Sequence, residues 1–198
     1  MKKAIFGIIA IAILFQSCAS KSFVSIYQNG KAYSIGTSRL ETLKLEKTNF
    51  QIRAVIRSYN EKTEEFYEIK GLAIENDEIF KKIDVGDAID DASYFGAGRG
   101  MAIDPDVNAL FVDENGFNNL YYDKENDKTS PMKLIKKFDD TYDVAGNIIG
   151  LIKNGNNRSI EQWNGKYLDL ILFYDGNLNE RIDKGELAKV KIEFAITN

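Results

Sequence analysis

The 198-residue chain carries 26 basic against 30 acidic residues, a single cysteine and no histidine. The missing histidine removes the usual general base, the Ser-His and Cys-His nucleophile pairs and histidine-built zinc sites; a lone cysteine forbids an internal disulfide. The acidic balance, with no run of basic residues along any one element, speaks against a nucleic-acid partner.

The N-terminus comes first and reads as a targeting segment. Lys2 and Lys3 precede an uncharged apolar run over residues 4–15, too short to span a bilayer and of the length of a signal-peptide core. "LFQSCAS" follows, with Ser17 before the chain's only cysteine, Cys18. This stretch resembles a bacterial lipoprotein signal, whose lipobox places an apolar residue, a small residue and then Cys. Phe15 and Gln16 match the looser boxes of Bacteroidetes-type lipoproteins. The resemblance implies cleavage after residue 17, lipidation of Cys18 and a tether over residues 18–22. The acylated Cys18 would anchor the chain in the membrane, since each buried methylene contributes about 0.8 kcal/mol. It also implies an envelope location, with the outer membrane facing the periplasm as the expected position, because "ASKSF" lacks an acidic cluster.

Residues 23–198 read as one mostly-β domain, an antiparallel β-sandwich or barrel-like fold with at most one or two short helices. Ten Tyr and twelve Phe against two Pro fit half-buried pleated faces. Residues 23–36 form a predicted hairpin around Asn29-Gly30, a pair suited to a tight primed turn. Asn-Gly recurs at 115–116, 154–155 and 164–165, which predicts further hairpins. Alternation predicts half-buried strands in "FQIRAVIRS", in "FYEIKGLAI" and in "AKVKIEFAI". "YLDLILFY" (167–174) is apolar on both faces except at Asp169 and reads as a central strand. Residues 76–83 suit one short helix. Residues 130–138, with Ser130 at a cap and Pro131 next, read as a helix, with a strand at 132–138 close behind.

The densest chemistry lies between the last two strands, in "YDGNLNERIDKGEL" (174–187). Asp175, Asn177, Asn179, Arg181 (through its carbonyl), Asp183 and Glu186 occupy positions 1, 3, 5, 7, 9 and 12 of a loop that resembles an EF-hand calcium loop. Ile182 fills the apolar position 8. Oxygen donors in this number favour Ca²⁺ over transition metals. The glycine of position 6 is Glu180 here and two donors are Asn. Both changes place the expected affinity on the order of 10⁻⁴–10⁻³ M. The flanks read as strands, so the site would be a strand–loop–strand calcium site with a structural role. Asp and Asn also fill ordinary polar turns; the joint match sets this loop apart. "DPDVN" (104–108) and "DKEND" (123–127) lack a Glu at the twelfth position and read as solvated turns. "FGAGRGMA" (95–102) reads as a tight loop or bulged strand.

For function, these features point to a lipid-anchored envelope protein that binds or shields something, with another envelope protein, a glycan or a toxin as the partner. An immunity lipoprotein would have this build. The alternative is a small envelope hydrolase using a carboxylate pair. The adjacent pairs Asp90-Asp91 and Asp139-Asp140 read as solvated turns, because neighbours on a strand point to opposite faces, so no catalytic residue is assigned.

Overall fold

A computed structural model of the chain describes residues 22–37, 39–57, 59–62, 65–74, 77–88, 101–104, 109–112, 117–118, 120–122, 132–138, 141–153 and 156–195. The signal segment, Cys18 and the tether up to residue 21 lie outside the described residues. So do residues 105–108, 123–127 and 95–100, and the pairs Asp90-Asp91 and Asp139-Asp140.

The predicted N-terminal hairpin is present. Strands β1 (Val24–Gln28) and β2 (Lys31–Ser34) pair antiparallel, with Gln28 opposite Lys31. Asn29 and Gly30 both have positive φ, 50° and 78°, the geometry of a primed two-residue turn. The alternation of "FQIRAVIRS" becomes β4 (Phe50–Arg57), buried at Phe50, Ile52, Ala54 and Ile56. Among the strands without a strong local signal are β3 (Glu41–Glu46) and the thirteen-residue β13 (Thr141–Lys153). Strand β13 organises the first sheet, because β4, β11 (Leu120–Tyr122), β12 (Met132–Phe138) and β14 (Asn156–Ser159) all pair with it antiparallel. The sheet runs β11-β13-β4-β1-β2, with β12 and β14 attached to β13.

The second sheet has the order β3-β16-β15-β7-β8-β9. Its members are β7 (Glu68–Ile74), β8 (Met101–Asp104), β9 (Ala109–Val112), β15 (Tyr167–Tyr174) and β16 (Leu187–Ala195), with β10 (Phe117–Asn118) also on β7. It is mixed: β3 runs parallel to β16 and β10 parallel to β7. A two-stranded ribbon, β5 (Tyr59–Asn60) and β6 (Glu65–Phe66), stands apart. The two sheets pack together without closing into a barrel, so the fold is of the sandwich kind. The sequence signals predict antiparallel pairing; the two parallel pairings depart from it, and neither β3 nor β10 carries a run that would announce them.

One short α-helix, α1 (Asp77–Lys82), is present among the described residues, on the predicted segment, besides a single 3₁₀ turn at Ile160–Gln162. Residues 132–138 form a strand rather than the favoured helix. Six ladder positions with β13 supply its backbone partners, and such non-local pairing overrides a local capping signal.

Two buried clusters result. The larger takes alternate residues of both sheets, among them Ile26, Ile52, Val144, Leu170, Leu172, Val190 and Ile192. The smaller lies on the opposite face of the second sheet, where Phe80 and Ile83 cover Leu72, Ile171 and Phe173 together with Ile182 and Leu187. The second cluster accounts for the two-faced apolarity of β15: Leu168, Leu170 and Leu172 face the other sheet, while Ile171 and Phe173 lie under the helix. Among the described residues, every member of both clusters lies between positions 24 and 194. Asp169, the polar exception in β15, is fully buried opposite Lys191, with Lys191 Nζ 3.6 Å from its carboxylate and 3.9 Å from the Tyr167 ring centroid.

Candidate functional site

The connection from β15 to β16 starts at a fixed point. Tyr174 ends β15 against Phe23 and Tyr67, and its hydroxyl accepts the Arg57 N–H at 3.1 Å, which ties the end of one sheet to the other. The Tyr174 N–H donates to the Glu186 carbonyl at 2.9 Å, so both ends of the twelve-residue loop close on each other.

Asp175 then organises the interior. It is only 6% exposed. Its Oδ1 accepts N–H bonds from Asn177 (3.3 Å), Leu178 (2.6 Å) and Asn179 (3.3 Å), and its Oδ2 accepts from Glu180 at 3.0 Å. One carboxylate thus satisfies four successive backbone donors that a loop cannot pair internally. This wrapping forces a tight turn. Leu178 and Glu180 sit in the left-handed region at φ 58° and 59°, where a non-glycine residue costs roughly 1 kcal/mol. Glu180→Gly is therefore expected to stabilise the protein by up to about 1 kcal/mol, read as a higher midpoint in urea denaturation. An unchanged or lower midpoint would show that position 180 holds no strain.

The remaining donors converge. Asn177 Oδ1 accepts the Asn179 N–H at 3.1 Å, and Asn179 Oδ1 accepts the Arg181 N–H at 2.9 Å. The Nδ2 groups of both asparagines donate to the same oxygen, Asp183 Oδ2, at 2.7 and 2.8 Å. Glu186 closes the loop: Oε1 accepts the Gly176 N–H at 2.8 Å and Oε2 the Asp183 N–H at 2.9 Å. Burial pushes the Glu186 carboxyl above its usual range, with the charges of Asp175 and Asp183 adding to the rise and the two N–H bonds opposing it. The side chains of positions 3 and 5 thus meet on that of position 9, while the carboxylates of positions 1 and 12 hold the loop through its backbone N–H groups. Arg181 instead sends its guanidinium outward to the Gly86 carbonyl at 2.9 Å.

Ile182 pins the loop to the fold. It is fully buried in the smaller cluster. Its carbonyl accepts the Gly86 N–H at 2.8 Å, its N–H donates to the Asp87 carbonyl at 2.9 Å, and Arg181 forms an isolated bridge with Ala88. The segment that follows α1 thus acts as a short strand partner for the loop. Sequence reasoning missed this partner, because residues 84–88 have no periodicity and their role exists only through the contact.

Among the described residues no group of three or more His, Cys, Asp or Glu side chains is placed to hold a metal ion by itself. A cation at this loop would therefore draw on the carboxamides of Asn177 and Asn179 and a backbone carbonyl besides the three carboxylates. Among the described residues no helix is long and apolar enough to cross a membrane. The chain has no significant match among known protein families, curated proteins or solved structures.

Proposed function

We propose that this protein is a lipid-anchored binding module of the bacterial envelope, held to the membrane through Cys18, whose β15–β16 connection is a structural calcium site. The observation that carries the calcium reading is the Asp175 carboxylate clasping four backbone N–H groups, with positive φ at Glu180, inside a loop anchored by Ile182. Around it, the carboxamides of Asn177 and Asn179 meet on Asp183, and the Glu186 carboxylate closes the loop on the Gly176 and Asp183 N–H groups. Asp175, Asn177, Asn179, Asp183 and Glu186 would hold the ion, with the Arg181 carbonyl as the sixth donor. The ion would offset the mutual repulsion of three clustered carboxylates and replace the two N–H donors now shared by Asp183, with the carboxamides offering oxygen instead. Its role is to brace the junction between β15, β16 and the segment after α1. The partner of such a module is another envelope protein, a glycan or a toxin.

Calcium at about ten times Kd is expected to add roughly 1.4 kcal/mol, raising Tm by roughly 3–6 °C in a chain of this size. Magnesium should do less, because it demands a tighter octahedral shell. Glu186→Gln should abolish most of the calcium shift. Melting curves in EDTA, calcium and magnesium test this; equal effects of the two metals, or a wild-type response of Glu186→Gln, would reduce the loop to a polar turn.

The anchor has its own test. Labelled fatty acid should enter the wild-type chain and not Cys18→Ser, and Cys18→Ser should leave the membrane fraction. A Cys18→Ser chain that is cleaved, unlabelled and still membrane-bound would refute lipidation as the anchor.

A further inference from the structure

A cavity of about 540 Å³ opens beside the loop, between the residues preceding β3, the helix α1 and the start of β16. That volume falls in the range of small-molecule sites. Its floor includes Phe80 and Leu187, members of the smaller buried cluster. Its rim carries Leu40 and Val85, 50% and 47% exposed. These are two of the three large hydrophobic residues that stand exposed among the described residues, so two of those three meet at one mouth.

The same cavity is lined by Arg39, Lys81, Lys184 and Lys189. On a chain of net charge −4, four cations around one opening reverse the local sign. Three carboxylates accompany them. Asp84 lines the cavity and, with Asp87, acts on Lys189, while Glu41 lies 3.9 Å from Arg39. Among these described residues the cations exceed the carboxylates by one. Lys189 is the half-buried member, its Nζ 5.7 Å from the Phe80 ring centroid. Burial pulls its pKa below the usual lysine range against the pull of Asp84 and Asp87. A desolvated ammonium beside an apolar floor gains most from a counter-charge that arrives with its own apolar body.

We infer that this cavity is a binding site for an amphipathic organic monoanion, a carboxylate on a hydrocarbon chain or ring, with the acid on Lys189 and the apolar body against Phe80, Leu187, Leu40 and Val85. The inference rests on the binding-module reading and gives that module a ligand class. Lys184 and Leu187 belong to the calcium-type loop and its first following residue, so the ligand would sit against the braced junction.

The test is calorimetric titration of the chain from residue 19 onward, which contains both buried clusters, in EDTA and in calcium. The probes are decanoate and 2-naphthoate, as chain and ring carriers of the acid, with decanol and glucuronate as controls. Binding of either acid, with decanol and glucuronate weaker by about tenfold or more, supports the site and tells chain from ring. Lys189→Met, which keeps the apolar stem and removes a desolvated charge, should weaken acid binding by about tenfold or more without lowering stability. Val85→Glu, at an exposed rim position, should do the same by like-charge repulsion. Decanol binding as tightly as decanoate, glucuronate binding as tightly as either acid, unaltered binding by both variants, or no acid binding in either condition overturns the inference. A failure of both acids leaves the calcium melting shift unchanged, so the two readings fall separately.

Discussion

Ile182→Ala is expected to destabilise the protein by about 2–5 kcal/mol, the range for emptying a fully buried aliphatic site. Ile182 is 0% exposed and fills the smaller cluster beside Phe80, Ile83, Phe173 and Leu187. Its backbone also pairs with Gly86 and Asp87, so the cavity would open under α1 and loosen the loop from its partner segment. Urea denaturation of the chain from residue 19 onward measures the loss. Val55→Ala, at a 50% exposed strand position, should cost under about 1 kcal/mol by comparison. If the two variants lose equal stability, Ile182 does not anchor the loop to the core.

Asp175→Ala should cost about 2–4 kcal/mol even in EDTA. The substitution strands four N–H donors, those of Asn177, Leu178, Asn179 and Glu180, in a part-buried turn. Leaving a buried donor unmade costs about 1–3 kcal/mol, and water entering the opened loop recovers part of the sum. Amide exchange gives the local signature: protection at residues 177–180 should collapse while the β15–β16 ladder, Tyr167–Phe173 against Leu187–Glu193, keeps its own. The variant should also lose any stabilisation by calcium. A loss below about 1 kcal/mol with unchanged protection would mean that the carboxylate does not shape the loop. This measurement separates the architectural work of Asp175, present without any ion, from its proposed work as a ligand.

Several elements were legible in the sequence because their signals are local. Asn29-Gly30 specifies its own turn through backbone freedom. The alternation in β4 and β16 and the two-faced apolarity of β15 announce strands of the correct kind, since side-chain period follows from strand geometry. The spacing of Asp175, Asn177, Asn179, Asp183 and Glu186 announces a loop in which oxygens can converge, because a wrapped backbone brings alternate residues to one interior. Ile182 between them was readable as the apolar anchor.

Other features depend on partners far along the chain. Strand β13 forms because β4, β11, β12 and β14 all find their hydrogen bonds on it, and residues 132–138 extend for the same reason despite a helix-like start. The parallel approach of β3 to β16 brings Leu40 and Arg39 to the same mouth as α1 and the loop, which no window of sequence connects. The Asn164-Gly165 pair joins the two sheets and leaves both residues outside the positive-φ positions, although the same dipeptide at 29–30 makes a hairpin. By itself, then, the sequence determined the mainly β character, the hairpin and the donor spacing of the loop, through backbone and side-chain periodicities that act over a few residues. Only the tertiary structure decided the sheet order, the segment that pins Ile182 and the basic, apolar-rimmed cavity, because each is a meeting of distant segments whose burial and pairing energies exist only once the chain has brought them together.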